Sequence, residues 1–295
     1  MEISTSTNIC AFQPGRERNP FDFCIAECAK GGYKVLDINF CEAMNPHSRM
    51  RDDDWEDYVK DIAELGKKWD VVFRQSHLPY YDIFADNDEE KVKIMEELIR
   101  RSIIASAELG VEWTVTHPGT VYSAGPDMNI SLEHNLEYYS KHIRTARECG
   151  IGIALENDFE YRSAPYQRIF CANVHELVEL VDSFNDPKHV GVCYDFGHGN
   201  LGGPFHRQNL NIIGSRLHAI HVQDNHGMSD EHLLPFHGKN SIGSTAGCFT
   251  DSISVPSFRY FLSFLIRKGQ RRFSRQSFKH IRSQNLSSAE NRSIK

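Results

Sequence analysis

The chain has 295 residues, of which 40% are hydrophobic, and a formal net charge of −7. This length suffices for one large domain with a buried core, such as an α/β barrel of roughly 250 residues, without a second domain. No stretch approaches the roughly 20 apolar residues of a membrane span, and the first residues lack a secretory pattern, so we expect a cytoplasmic protein. The eight scattered cysteines form no CxxC pair, which favours reduced thiols.

The charge is divided unevenly along the chain. Residues 1–237 carry 22 Lys and Arg against 38 Asp and Glu, whereas residues 238–295 carry 11 against 2 and hold twelve serines. The acidic part repels polyanions such as nucleic acids, and the basic part attracts them. We therefore predict a folded domain over residues 1–237 and an atypical basic, serine-rich tail over residues 238–295, which is explained either by disorder or by a shifted reading frame.

Strand-like runs alternate with amphipathic segments before the tail, as in βα units around a parallel sheet. Seven strands are predicted, in the runs NICAF, YKVLDINF, VVFRQSH, EWTVTH, IGIALEN, VGVCYD and LHAIHVQ. Helices are predicted in FDFCIAECAKGG, at 54–69, at about 87–110 and 129–149, in NVHELVELVDSF and near 208–214. The pattern indicates a TIM (β/α)8-type barrel whose eighth strand and helix are missing or replaced, which leaves the sheet edge to be closed in another way.

Five consecutive strands end on a side chain of a metal-binding type: His77, His117, Glu156, Asp195 and His221. The carboxyl ends of parallel barrel strands meet at one mouth, so these side chains are expected to converge. Glu156, Asp195 and His221 form a mixed carboxylate and imidazole shell that suits Mn²⁺, Mg²⁺, Co²⁺ or Zn²⁺. His77 and His117 could complete that shell or bind substrate oxygen. The alternative is a polar mouth of separately hydrogen-bonded residues.

Further candidates follow the last two of these strands. His198 lies three residues after Asp195, a spacing at which the carboxylate can bind the ion while the imidazole contacts a substrate hydroxyl. The loop QDNHGMSDEHLLPFHG adds Asp230 and His232 as possible ligands, and at least two of its histidines are expected to be exposed loop residues. GHGNLG has GxGxxG spacing but follows the sixth strand, which favours a loop passing close to a substrate over a dinucleotide site.

The motifs VTHPG, IALEN, VCYDFGH, HVQDN and DEHLLP, in this order, resemble the sugar phosphate isomerase/epimerase family. That family shares the xylose isomerase-like TIM barrel with endonuclease IV, and the resemblance covers roughly residues 5–237. It implies that Glu156, Asp195 and His221 match three of the four ligands of the catalytic metal. It also implies that His198 binds substrate beside the metal.

The chemistry implied by the resemblance is proton transfer at a carbon next to a carbonyl, through an ene-diolate. Glu156 is the expected base, and the substrate is expected to be a small sugar or sugar phosphate. In the family, a second glutamate on the last strand supplies the fourth ligand. Here Glu290 is the only glutamate after Glu231, and its surroundings do not resemble a strand.

Two other functions stay open at this point. An endonuclease IV-like zinc enzyme is compatible with the type and order of eight residues: His77, His117, Glu156, Asp195, His198, His221, Asp230 and His232. The net negative charge of residues 1–237 disfavours nucleic acid as a partner. A barrel that binds metal weakly or is inactive is the other alternative, because the last ligand is missing. A homo-oligomer is left open.

Overall fold

Eight parallel strands close into a barrel in the computed structural model of the chain, and helices lie outside them. The structure describes residues 2–11, 18–85, 88–122, 125–160, 168–240 and 261–264. Among these residues, no helix is both long and apolar enough to cross a membrane. The predicted TIM-type barrel is therefore confirmed.

The barrel strands are β1 (Glu2–Ser6), β2 (Val35–Asn39), β3 (Val72–His77), β4 (Trp113–Thr116), β5 (Gly152–Glu156), β6 (Val190–Asp195), β7 (Leu217–His221) and β8 (Phe261–Phe264). Each of β2 to β7 pairs in parallel with the strand before it, and β8 lies between β7 and β1. The helices are α1 (Phe21–Lys30), α2 (Trp55–Trp69), α3 (Glu89–Glu108), α4 (Met128–Cys149), α5 (Val174–Ser183), α6 (Phe196–Gly202) and α7 (His206–Ile213). A small antiparallel ladder, Val121–Tyr122 with Pro126–Asp127, precedes α4.

The closing strand β8 comes from the segment that was predicted to be atypical. Its backbone pairs with β1 at four positions and with β7 at two. The last strand is therefore replaced by a short one rather than missing from the barrel. The predictions of disorder and of a shifted reading frame fall mostly on residues 241–260 and 265–295, which lie outside the described residues.

Two local predictions were wrong. NICAF is not the first strand, because Thr7–Cys10 forms a 3₁₀ turn that begins where the Ser6 side chain accepts a hydrogen bond from the Asn8 amide. The strand is the preceding EISTS, whose serines and threonine are buried and give no apolar signal. The predicted glycine-rich loop after Asp195 is the helix α6, because the Asp195 side chain caps its first turn.

The barrel interior is layered along β4, β5, β6 and β7. At the bottom, the rings of Trp113 and His218 stack with centroids 3.8 Å apart. The middle layer is small and apolar: Val115, Ala154, Cys193 and Ala219. Because side chains alternate along a strand, the next inward positions are Glu156, Asp195 and His221 at the mouth. The outward faces of the same strands pack under the helices in the main apolar core.

Candidate functional site

Glu156, at the end of β5, is the centre of a buried cluster at the barrel mouth. Its Oε1 atom lies 2.8 Å from Nδ1 of His221, at the end of β7. Its Oε2 atom lies 3.3 Å from Nε2 of His117 and 3.6 Å from Nε2 of His77. Glu156 is 1% exposed, so these contacts form away from bulk water. The structure thus brings three of the other four strand-end side chains around the Glu156 carboxylate.

Asp195, the fifth strand-end residue, lies beside this cluster. Its Oδ2 atom is 4.0 Å from Nδ1 of His221, and its Oδ1 atom accepts the His198 amide proton at 2.7 Å. The side chain of Asn157 fixes the Asp195 backbone, because its Oδ1 accepts from the Asp195 amide at 2.7 Å and its Nδ2 donates to the Asp195 carbonyl at 3.2 Å. Asp195 therefore caps the helix α6, and Asn157 fixes Asp195 at the mouth.

His198 bridges the central cluster and a second group of ligand-type side chains. Its Nδ1 lies 2.9 Å from the carbonyl oxygen of Asn157 and 3.6 Å from Oε1 of Glu156. On the other side, its Nε2 lies 3.9 Å from Oδ2 of Asp230, which is 2.7 Å from Nε2 of His232. Asp230 and His232 thus lie beside His198, whereas His226 and His237 are exposed, as was predicted for at least two histidines of this loop.

The donor set fits a divalent metal ion. Among the residues that the structure describes, four groups have ligand atoms that all lie within 4.8 Å of one another: His77, His117 and Glu156; Glu156, Asp195 and His198; Glu156, Cys193 and His221; and His198, Asp230 and His232. Within the described part of the chain, Oε2 of Glu156 and Oδ2 of Asp195 are buried without a hydrogen-bond partner. Buried carboxylate oxygens cost free energy unless they are paired or bind a cation, so both are suited to hold one.

Protonation states at the mouth differ from residue to residue. Burial alone would raise the pKa of Glu156, but His221, His117 and His77 outweigh it and hold that pKa well below its ordinary value. Burial lowers the pKa of His117 to about 3, which leaves a neutral ring at pH 7. Burial also disfavours charge on His198, yet Asp195, Glu156 and Asp230 outweigh it and raise its pKa to about 9. Cys41 and Glu156 raise the pKa of His77 to about 10 against the effect of burial, and the pKa of His221 is raised as well. The site therefore combines an ionised carboxylate, the neutral imidazole of His117 and several charged imidazoles.

The sequence prediction missed several residues of the site. Asp37 and Gln75 lie inside the barrel under His221, and Asn157 fixes Asp195. Gln75 could have been found, because it is two residues before His77 and so faces the same side of β3. Tyr80 and Phe159 also escaped prediction, although their rings lie 5.1 Å from those of His117 and His198, respectively. Aromatic residues in loops carry no comparable spacing signal.

The chain matches the family described as "Xylose isomerase-like TIM barrel" over residues 25–248. Among curated proteins it is similar to the uncharacterized protein MJ1311 of Methanocaldococcus jannaschii, with 30% identity over 179 residues, which are 59% of each protein. It is also similar to a probable endonuclease 4 of Mycoplasmoides gallisepticum, with 25% identity over 171 residues, which are 55% of this chain and 52% of that protein. The chain thus spans between half and about three fifths of the length of these relatives.

Solved structures with the same fold include a D-tagatose 3-epimerase-like protein, with a TM-score of 0.75, 21% identity and full coverage of both chains. The 3-keto-D-glucoside 4-epimerase YcjR of E. coli has a TM-score of 0.69 and 17% identity over 96% of this chain and 99% of that one. The IolI protein with a bound zinc atom has a TM-score of 0.64 and 16% identity over 91% and 90%. At these identities the likeness establishes the fold.

Proposed function

Because the chain belongs to the xylose isomerase-like TIM barrel family, we propose that it is a divalent-metal-dependent sugar isomerase or epimerase. The main support is the cluster around Glu156, in which buried carboxylate oxygens without partners face imidazole nitrogens at the barrel mouth. Glu156, Asp195 and His221 would hold the ion. A bound divalent cation there would polarise a substrate carbonyl and stabilise negative charge that develops next to it.

Glu156 has the properties that the proposed base requires. Its pKa, held low by the surrounding histidines against the effect of burial, keeps the carboxylate ionised at pH 7. Oε1 contacts His221, whereas Oε2 has no hydrogen-bond partner among the described residues and so has lone pairs available for a substrate proton. In the proposed reaction, Glu156 removes a proton from the carbon next to the carbonyl and returns it to the same carbon or its neighbour.

His198 and His117 are proposed to bind substrate oxygens. The charged ring of His198 can donate to a hydroxyl or carbonyl oxygen, and its Nδ1 is already directed to the carbonyl of Asn157. The neutral ring of His117 can accept from a hydroxyl. The aromatic rings of Tyr80 and Phe159 lie against these two histidines and would cover the apolar face of a sugar ring.

The charges of the site favour a substrate without a phosphate group. In the described part of the chain, each ion pair made by Glu156, Asp195 or Asp230 is formed with a histidine. Recognition of a phosphate group usually depends on arginine or lysine donors. An unphosphorylated keto sugar or polyol-derived keto compound therefore fits the mouth better than a sugar phosphate.

The proposal is tested by measuring the metal bound per chain and the exchange of solvent deuterium into candidate ketoses. The wild-type protein is expected to bind a divalent ion and to introduce deuterium next to the carbonyl. Glu156→Gln removes one ligand charge and the base, so exchange should fall by at least about 10²-fold. Glu42→Gln, a buried acid that hydrogen-bonds to Ser48 outside the cluster, is the matched control and should keep both properties.

A second candidate function rests on the number of ligand groups. The group of His77, His117 and Glu156, the pair of Glu156 with His221, and the group of His198, Asp230 and His232 provide places for three ions, as an endonuclease IV-like enzyme requires. The acidic body over residues 1–237 disfavours binding to duplex DNA. Three zinc ions per chain with cleavage at abasic sites would favour this function over the isomerase.

The absence of a glutamate from the described closing strand, FLSF, motivates the third alternative. A barrel with three ligands can still hold an ion if water fills the other positions, but it binds that ion more weakly. Purified protein that contains no stoichiometric metal and exchanges no deuterium after metal is added would identify an inactive barrel.

A further inference from the structure

One face of the helix α4 holds the chain that follows β4 at the barrel mouth. This face, the α4 stripe, carries three polar side chains that are each at most 1% exposed: Ser131, Asn135 and Tyr139. The Tyr139 hydroxyl donates to the His117 carbonyl at 2.5 Å. Oδ1 of Asn135 accepts from the Gly119 amide at 2.9 Å, and the Ser131 hydroxyl oxygen accepts from the Val121 amide at 2.9 Å.

The spacing of the helix and the segment explains why these contacts repeat. Residues four apart on a helix lie on one face and are about 6 Å apart along its axis. Alternate residues of an extended segment are about 6.6 Å apart and have the same orientation. The α4 stripe therefore meets every second residue from His117 to Val121, in the opposite chain direction. Pro118 favours the extended form, because the residue before a proline is restricted to extended conformations.

The segment from His117 to Val121 is also held on its other sides. A Cβ atom on Gly119 would lie 2.5 Å from Cγ1 of Ile83, so the loop after β3 packs directly on this glycine. The Thr120 hydroxyl oxygen accepts from the Phe170 amide at 2.9 Å, in the loop that follows β5. Three loops of the mouth therefore meet at one segment, whose backbone donates to and accepts from α4.

The ring of His117 has no comparable anchor of its own. It approaches Oε2 of Glu156 at 3.3 Å and the Tyr80 ring at 5.1 Å between centroids, but it makes no hydrogen bond in the described part of the chain. His117 also lies beyond the last residue of β4 that pairs with β5. The position of the ring therefore depends on the backbone of His117, and the Tyr139 hydroxyl holds that backbone.

We infer that Tyr139 is a positioning residue for substrate binding, which acts by fixing the backbone of His117 and so the place of its ring in the mouth. Asn135 and Ser131 extend this support along the segment. A displacement of about 1 Å at a group that contacts substrate can cost about 10²-fold in rate, so the hydrogen bond matters beyond its own free energy. The inference rests on the proposed function, in which His117 binds a substrate oxygen.

The first test, Tyr139→Phe, removes the hydroxyl and keeps the ring. The KM for a ketose that exchanges deuterium should rise by about 10-fold with little change in kcat, because His117 binds the substrate and the transition state alike. Metal affinity should stay within about twofold of wild type, since the backbone of Glu156, Asp195 and His221 is not held by α4.

Thr114→Val is the matched control on the same strand. The Thr114 hydroxyl oxygen accepts from Ser76 at 2.7 Å and is fully buried, so this variant also loses a buried hydrogen bond. Both variants should lose stability, but only Tyr139→Phe should change KM. In a His117→Ala background, Tyr139→Phe should have no further effect on KM, because it acts through that ring. Equal KM values of the two single variants, or a further rise in that background, would overturn the inference.

The second test does not depend on catalysis. In protein labelled at histidine and tyrosine, the nuclear Overhauser effect between the ring protons of His117 and Tyr80 reports their separation. It should be lost or weakened in Tyr139→Phe and stay at the wild-type intensity in Thr114→Val. An unchanged effect in Tyr139→Phe would contradict the inference even if no substrate is found. Failure of the proposed function has a different signature: the Overhauser effect responds to Tyr139→Phe, but the wild-type protein exchanges deuterium into no ketose.

Discussion

At the scale of single residues, Asn157 links the backbone to the chemistry of the site. Its side chain holds the Asp195 amide and carbonyl, and its own carbonyl oxygen lies 2.9 Å from Nδ1 of His198. One residue therefore orients a proposed ligand and a proposed substrate-binding side chain. Asn135 binds the backbone of Gly119 in the same way: its Oδ1 accepts from the Gly119 amide at 2.9 Å, and its Nδ2 donates to the Gly119 carbonyl at 2.8 Å.

Asn157→Ala should lower the free energy of unfolding by about 2–3 kcal/mol, because it leaves the buried Asp195 amide without an acceptor. It should also weaken metal affinity, since Asp195 is no longer fixed. Asn135→Ala loses an equivalent pair of hydrogen bonds outside the cluster, so stability should fall without a change in affinity. Urea unfolding and metal titration measure the two effects. Equal metal affinities of both variants would contradict the role of Asn157.

At the scale of elements, an acidic residue joins the helices α3 and α4. Glu96 forms ion pairs with Lys141 and His142 of α4 and accepts from Tyr81 at 3.2 Å. Burial would raise its pKa, but His142 and Lys141 outweigh burial and lower it to about 2. A carboxylate with a lowered pKa stabilises the fold above its ordinary pKa of about 4.5, and this contribution is lost as the pH falls from there toward 2.

Glu96→Gln should therefore lower the free energy of unfolding by about 1–3 kcal/mol at pH 7. The difference between wild type and variant should shrink below pH 4.5, because the wild-type carboxylate takes up a proton. Urea unfolding at pH 7 and at pH 3.5 measures this difference in the free energy of unfolding. Glu137→Gln, on the exposed side of α4, should show neither effect. A difference that stays constant with pH would contradict the assigned cause.

The strands β4 and β5 depend on a glycine at the bottom of the barrel. A Cβ atom on Gly152 would overlap the Trp113 ring, whereas a Cβ on Gly202, in α6, would meet nothing within 4 Å. Gly152→Ala should lower the free energy of unfolding by about 1–3 kcal/mol through overpacking. Gly202→Ala should be neutral or stabilising. Thermal unfolding compares them, and equal melting temperatures would contradict the packing argument.

The sequence predicted the residues at the ends of the strands better than the inward-facing residues below them. His77, His117, Glu156, Asp195 and His221 were brought together as expected, because parallel strands place their carboxyl ends at one mouth whatever their separation in sequence. Side chains that point inward below the mouth, such as Asp37 and Gln75, were missed. An acidic residue inside an apolar strand is a usable signal, but its partner across the barrel depends on register, which a single sequence does not provide.

At the scale of the whole molecule, the barrel is closed by β8, which comes from a segment of different charge and composition. Leu262 is paired with Ile3 of β1 on one side and Ile220 of β7 on the other. A parallel barrel without this strand would expose two unpaired edges, which promote association between chains.

Leu262→Pro removes a backbone donor from the closing strand and should destabilise the protein and increase aggregation. Leu262→Ala keeps the backbone donor and should have the smaller effect. Size-exclusion chromatography and thermal unfolding compare the two variants. If the proline and alanine variants behave alike, backbone pairing at this position does not close the barrel.

The predicted boundary at residue 237, between a folded domain and a basic tail, stays a prediction. The structure nevertheless shows how the folded domain continues to Asn240. The amides of Gly238 and Asn240 donate to the Asp224 carboxylate, and the Asn240 side chain lies 2.7 Å from Nε2 of His206. These two residues therefore pack against Asp224, in the loop after β7, and against His206 of α7. Any test of the tail by truncation should keep the chain through Asn240.

The close packing of α6 limits how the protein can be redesigned. A Cβ atom on Gly197 would collide with the Gln223 side chain, and one on Gly199 would collide with the Tyr194 hydroxyl. Mutagenesis libraries directed at new sugar preferences should therefore leave the segment from Asp195 to Gly203 intact. Diversity is better placed at Tyr80 and Tyr122, which are more than half exposed and tolerate exchange without a collision in the interior.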